Sequence, residues 1–249
     1  MNEYQPLIEM LGDSELTRLL IEGPNENNSL PSYFYDERIT IVSNYFFSEF
    51  NVFEEYIFTN VTRLGARAFK DDTVVKKVSF PRCKNIETRA FQGCTSLLEV
   101  DFPICTDIGE LPFSQTLIKS LSLPECTNVG YYPFASMSKL EFLAIPKVQN
   151  IPEYCFSGQN TTLLQLDLPS VKTISRGGLA DLKGLKIVNL GPNITSINAS
   201  AFSTSMSSDL VINIPKSEGE ISGAPWGAPA TVTINYDTPY AGDVPMPES

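Results

Sequence analysis

The chain has 249 residues, 42% of them hydrophobic, with 18 Lys and Arg against 29 Asp and Glu for a net charge of −11. Such a field repels nucleic acid and acidic membrane surfaces. The sequence has no histidine, which removes Ser-His-Asp and Cys-His nucleophile pairs, histidine-ligated zinc and the side chain best suited to proton transfer near neutrality.

Residues 1–22 read as one or two short helices, with Ser14 as an N-cap and Leu16, Leu19 and Leu20 on one face. That face either packs on the next element as a cap or docks the chain onto a larger assembly. Neither a basic stretch nor an apolar signal core opens the chain, and no run approaches the ~20 apolar residues of a membrane span. Synthesis in the cytoplasm without a signal peptide, and no membrane insertion, are the expectations. Residues 23–33 form a polar linker.

From there an internal repeat governs the sequence. A small residue precedes a bulky apolar one at Ala68-Phe69, Ala90-Phe91, Pro112-Phe113, Pro133-Phe134, Cys155-Phe156, Gly178-Leu179 and Ala201-Phe202. The second members, 69 to 91 to 113 to 134 to 156 to 179 to 202, step by 22, 22, 21, 22, 23 and 23 residues, the period of a solenoid. A proline closes a short alternating run in most units (Pro81, Pro103, Pro124, Pro146, Pro169, Pro215), which marks half-buried strands. Five residues on stands an aliphatic (Ile86, Ile108, Val129, Ile151, Ile174), so stacking predicts interior ladders. An eighth, degraded unit aligns Tyr45-Phe46 with Ala68-Phe69 and places Phe53, Tyr56, Phe58 and Leu64 in apolar columns, with Thr59 for the proline. The seventh strand, Leu210 to Ile214, is shifted by one position. Expected domains are 1–37 (N-terminal helical cap or docking segment and linker), 38–215 (solenoid of about eight repeats) and 216–249 (C-terminal cap and an extended tail).

These columns resemble the BspA-like, or Treponema-type, leucine-rich repeat. Asn85-Ile86-Glu87-Thr88-Arg89-Ala90-Phe91-Gln92-Gly93-Cys94-Thr95-Ser96-Leu97 is the best match to one unit. The resemblance implies a β-rich repeat solenoid that recognises cell-surface or extracellular ligands. The ending Gly223-Ala224-Pro225-Trp226-Gly227-Ala228-Pro229, followed by Thr231 to Tyr236, resembles the terminal cap of repeat proteins encoded near bacteriophage tail genes.

Chemistry-bearing groups are few. Cys83, Cys105 and Cys126 share one column, continued by Val148, Val171 and Ile194, so cysteine stands in for a small hydrophobe and buried free thiols are expected. Glu54-Glu55, Asp71-Asp72 and Asp36-Glu37 are carboxylate pairs in variable turns, with nothing to gather them into one cleft. No catalytic residue, cofactor or metal is assigned. The candidate binding residues are large groups in the outward strand columns: Leu98, Lys119, Phe142, Leu164, Gln165 and Ile187, an apolar strip within a polar rim. The expected function is a non-catalytic surface- or receptor-binding module, carried on a phage virion appendage or at a cell surface, with a protein or cell-surface glycan as partner. The alternative is a structural scaffold with no ligand of its own, assembled through residues 1–22.

Overall fold

The computed structural model describes residues 32–158 and 160–240. The helices expected over 1–22 and the last residues of the tail lie outside the described residues. What is described is a β-rich solenoid of about nine turns. Each turn contributes one longer strand to one side: β1 (Tyr33–Tyr35), β3 (Glu55–Ile57), β5 (Lys77–Ser79), β7 (Glu99–Asp101), β9 (Ser120–Ser122), β11 (Phe142–Ala144), β13 (Gln165–Leu168), β15 (Ile187–Leu190) and β17 (Val211–Asn213), ended by β18 (Thr233–Asn235). Two-residue strands make the second side: β2 (Ile41–Val42), β4 (Arg63–Leu64), β6 (Asn85–Ile86), β8 (Asp107–Ile108), β10 (Asn128–Val129), β12 (Asn150–Ile151), β14 (Thr173–Ile174) and β16 (Ser196–Ile197). All pairings are parallel, as the repeat requires, because every turn enters from the same direction.

Strand pairing continues on either side of residues 38–215. β1 pairs with β3 upstream, burying Phe34, and β18 pairs with β17 downstream. In the degraded unit the column residue is Phe47, not Phe46. Phe47 is wholly buried and stacks on Phe69 at 5.0 Å and 14°, and its N–H donates to Ala68 O at 2.7 Å. The reason lies two residues earlier, where Tyr45 adopts the left-handed conformation (φ 59°) that Arg67 (φ 57°) and Arg89 (φ 59°) adopt in the next turns. In that conformation each N–H points along the stack, to Ala66 O at 3.0 Å, Thr88 O at 2.9 Å and Glu110 O at 2.7 Å respectively. A backbone cost of about 1 kcal/mol for a non-glycine residue is offset by these inter-turn hydrogen bonds.

Two aromatic columns run through the core. Phe47, Phe69, Phe91 and Phe113 stack in one, and Phe58, Phe80 and Phe102 in the other, with centroids 5.0 to 5.8 Å apart. Farther along, the second column turns aliphatic at Leu123, Ile145, Leu168, Leu190 and Ile214, all buried. The shift in the seventh unit leaves the in–out pattern intact, because Ile212 pairs with Val188 and both are buried. Trp226 is wholly buried, and its carbonyl accepts the Phe202 N–H at 3.0 Å. All five cysteines are free and buried.

A candidate protein-docking groove on the long-strand face

The outward columns of the long strands pair as the repeat alignment expects. Lys77 stands beside Glu99, Ser120 beside Phe142, and Gln165 beside Ile187. They do not form one sheet. The side divides into β1-β3-β5-β7, β9-β11 and β13-β15-β17-β18.

Charge occupies the first part of this face and neutralises itself. Lys76 pairs with Glu54 at 2.8 Å, Lys77 lies between Glu55 (3.7 Å) and Glu99 (3.6 Å), and Lys119 pairs with Glu141 at 3.4 Å. Lys186 is held at 2.6 Å by Asp209, whose carboxyl is lowered to about 2, chiefly by that hydrogen bond and then by the Ser207 hydroxyl. Exposed pairs of this kind add little stability, but they leave these lysines engaged.

Between β11 and β13 the ladder stops. In neighbouring turns one carbonyl receives two backbone N–H groups: Lys119 O takes Glu141 and Phe142, and Leu164 O takes Lys186 and Ile187. At this seam the equivalent carbonyl, Glu141 O, takes no backbone N–H among the described residues, and one residue earlier Leu140 O accepts the Asn160 amide at 3.0 Å and the Thr162 hydroxyl at 2.6 Å. Asn160 also donates to Met137 O at 2.9 Å, and its Oδ1 accepts the N–H groups of Thr162 (3.0 Å) and Leu163 (2.8 Å). The period from Pro146 to Pro169 is 23, but length alone does not break a ladder, since β15 and β17 pair across a 24-residue step; what marks the seam is the bonding of the buried Asn160 side chain to Met137 O and Leu140 O.

A groove of about 490 Å³ opens at this seam, lined by Glu141, Phe142, Leu143, Thr162, Leu164, Gln165 and Asp167. Leu164 is 54% exposed and Phe142 half-buried. A smaller hollow of about 280 Å³ continues past Ala144 to Pro146 and Pro169 and is closed on one side by Tyr240. The structure therefore brings Phe142, Leu164 and Gln165 together. Ile187 lies one strand farther, beside Gln165. Leu98, 45% exposed, stands apart, with the Lys119–Glu141 pair between it and Leu164, and Lys119 is engaged in that pair. Asp167 stands on the outward strand face, where its column places it, and nothing in the repeat columns points to Thr162 or Tyr240.

Among the described residues no group of three acids, cysteines or histidines is placed to hold a metal ion, and no helix is long and apolar enough to cross a membrane. Burial raises the thiols of Cys83 to about 12, Cys105 to about 11 and Cys126 to about 12, so none is a nucleophile at neutral pH.

A model of the BspA type leucine-rich repeat region matches the chain in six copies over residues 25–141 and 106–224. Among solved structures, a leucine-rich repeat protein from Bacteroides ovatus superposes with a TM-score of 0.50 at 17% identity, over 82% of this chain and 62% of its own. The chain thus spans less than two thirds of that protein. The leucine-rich repeat protein of T. pallidum matches at 21% identity and a TM-score of 0.47, over 68% of this chain and 70% of its own. A search of curated proteins found no match. The comparisons indicate no catalytic family, and leucine-rich repeat scaffolds are in general protein-binding modules. The repeat columns, the parallel stacked turns and the family match agree: the chain belongs to the BspA-type leucine-rich repeat family.

Proposed function

We propose that the chain is a non-catalytic recognition module that docks a protein of a cell surface in the groove between β11 and β13. The observation that carries this reading is the apolar pair Phe142 and Leu164, at the lips of an open groove where the ladder is interrupted and the lysines on either side are already paired. An exposed apolar anchor beside an engaged polar rim is the arrangement of a binding hot spot. Gln165 and Asp167 add polar groups, their side chains 3.0 Å apart. The finer placement we propose, a phage virion appendage that delivers the module to its surface, is supported by the resemblance of the Trp226 segment to terminal caps of repeat proteins encoded near tail genes.

The test is binding of fluorescently labelled protein to intact bacterial and animal cells, beside a Phe142→Asp, Leu164→Asp double variant checked by circular dichroism. Saturable binding that the folded variant loses supports the reading. Binding that the variant retains would overturn the groove, and no binding to any surface would leave the scaffold alternative in its place.

A further inference from the structure

The short-strand side carries a second groove, of about 620 Å³ and unlike the first in chemistry. Arg63, Asn85, Asp107 and Asn128 stand in one register row on adjacent strands β4, β6, β8 and β10. At about 4.8 Å per strand the row spans roughly 14 Å. The cation of the row is engaged: Arg63 Nε donates to Glu87 at 2.7 Å. Asp107 accepts the Thr106 hydroxyl at 2.5 Å and the Asn128 amide at 2.6 Å, and no ion pair among the described residues includes it. A carboxylate has about four acceptor positions, so Asp107 retains open ones. The Asn85 side chain is exposed and carries no hydrogen bond among the described residues.

The floor beneath the row is bare backbone. A Cβ at Gly109 would come within 2.5 Å of Thr88 N, and one at Gly130 within 2.6 Å of the Gly109 carbonyl carbon. The N–H groups of this floor are already committed, Gly109 to Ile86 O at 2.7 Å and Gly130 to Ile108 O at 2.8 Å. Neither N–H is open to a peptide adding as a strand, which leaves the side-chain row as the bonding surface above this floor. Tyr131, 66% exposed, follows Gly130 in the chain outside the groove's lining, and Tyr132 after it stacks on Tyr154 at 6.1 Å and 11°.

We propose that this groove binds a neutral oligosaccharide, its hydroxyls bonded along the Asn85–Asp107–Asn128 row and a pyranose C–H face against Tyr131. Amide, carboxylate and amide in sequence accept and donate in alternation, as a rim of hydroxyls does. The exposed ring supplies the apolar contact that the row lacks. The net charge of −11 and the engaged Arg63 disfavour anionic glycans. This site is independent of the groove between β11 and β13.

The test is calorimetric titration of the full chain with cellotetraose, chitotetraose and mannotetraose, beside Asn85→Ala, Asp107→Ala and the surface variant Tyr131→Ala. We expect saturable binding of at least one probe, weakened about ten-fold or more in the double variant and weakened in Tyr131→Ala, with circular dichroism unchanged. The Phe142→Asp, Leu164→Asp variant should bind the probe as wild type does. If no probe titrates, if only sulfated or uronic-acid oligosaccharides bind, or if Tyr131→Ala and the folded double variant bind as tightly as wild type, the proposal is overturned.

Discussion

Tyr56 donates its hydroxyl to the Asp72 carboxylate at 2.9 Å, in the middle of the aromatic core. The other carboxylate oxygen accepts the N–H groups of Val74 and Val75, each at 3.2 Å, so the acid closes a turn as Asn160 does elsewhere. Burial, the largest influence, nevertheless raises the Asp72 carboxyl above its ordinary value, outweighing these hydrogen bonds. The folded state therefore holds the Asp72 proton more tightly than the unfolded chain. Its contribution is fully present below the unfolded value and is lost as pH rises through the folded one. The stability of Asp72→Asn relative to wild type should rise as pH climbs past the unfolded carboxyl value of about 3.9 and level off above the raised folded one, read by urea unfolding at each pH. A gap that narrows with rising pH would contradict the assignment. Asp72→Ala leaves two turn N–H groups without their acceptor and should cost about 1–3 kcal/mol for each one left unsatisfied.

Phe91 stacks on Phe69 at 5.1 Å and on Phe113 at 5.8 Å, and meets Phe80 edge-on at 6.3 Å. Phe91→Ala should destabilise the protein by about 3–5 kcal/mol through transfer and cavity costs and diminish the near-ultraviolet dichroism. Leu98→Ala, on the exposed face, should change stability by less than about 0.5 kcal/mol. Thermal unfolding of the two variants side by side decides the matter, and equal effects would contradict the packing described.

The cysteine columns predict chemical silence. At pH 8 a thiol reagent should label none of the five cysteines rapidly in the native protein and all five after denaturation, because each is buried and free. Fast native labelling of Cys83, Cys105 or Cys126 would refute both the burial and the upward shifts of their thiols.

Asn160 closes the seam with four hydrogen bonds from one buried side chain. Asn160→Ala strands the Thr162 and Leu163 N–H groups and should cost about 2–4 kcal/mol. Hydrogen exchange should quicken first at Leu163 and its neighbours. Asn160→Asp keeps the acceptor for those two N–H groups but loses the donor to Met137 O and Leu140 O, so it should fall between alanine and wild type.

Much of this fold was legible because a solenoid writes its packing into the sequence once per turn. Ala90-Phe91 and Ile86 announce the buried columns, and the proline spacing places the long strands. The degraded unit misled the alignment by one residue because Tyr45, Phe46, Phe47 and Phe50 are all aromatic and composition cannot choose among them. What selects Phe47 is the left-handed backbone at Tyr45, a property that tyrosine does not advertise. Phe142, Leu164 and Gln165 were found by column alignment, yet the groove between them depends on a broken ladder and a side-chain closure by Asn160. The polar row of Arg63, Asn85, Asp107 and Asn128 was present as a regular column beside the interior aliphatics, but its chemistry emerges only when register sets the four side chains abreast.

On the second side of the solenoid, β12 remains paired with β14 across the level at which β11 and β13 part. The two halves are thus bound along one side and unladdered along the other, like the boards of a book joined at the spine. Opening them wider breaks no strand-to-strand hydrogen bond at the lips, and the resistance there comes from the Asn160 and Thr162 hydrogen bonds and from the buried core the halves share, Leu143 and Ile145 on one side and Leu166 and Leu168 on the other. A partner wedged between Phe142 and Leu164 would set the angle between the halves, and through it the direction in which the Trp226 end points.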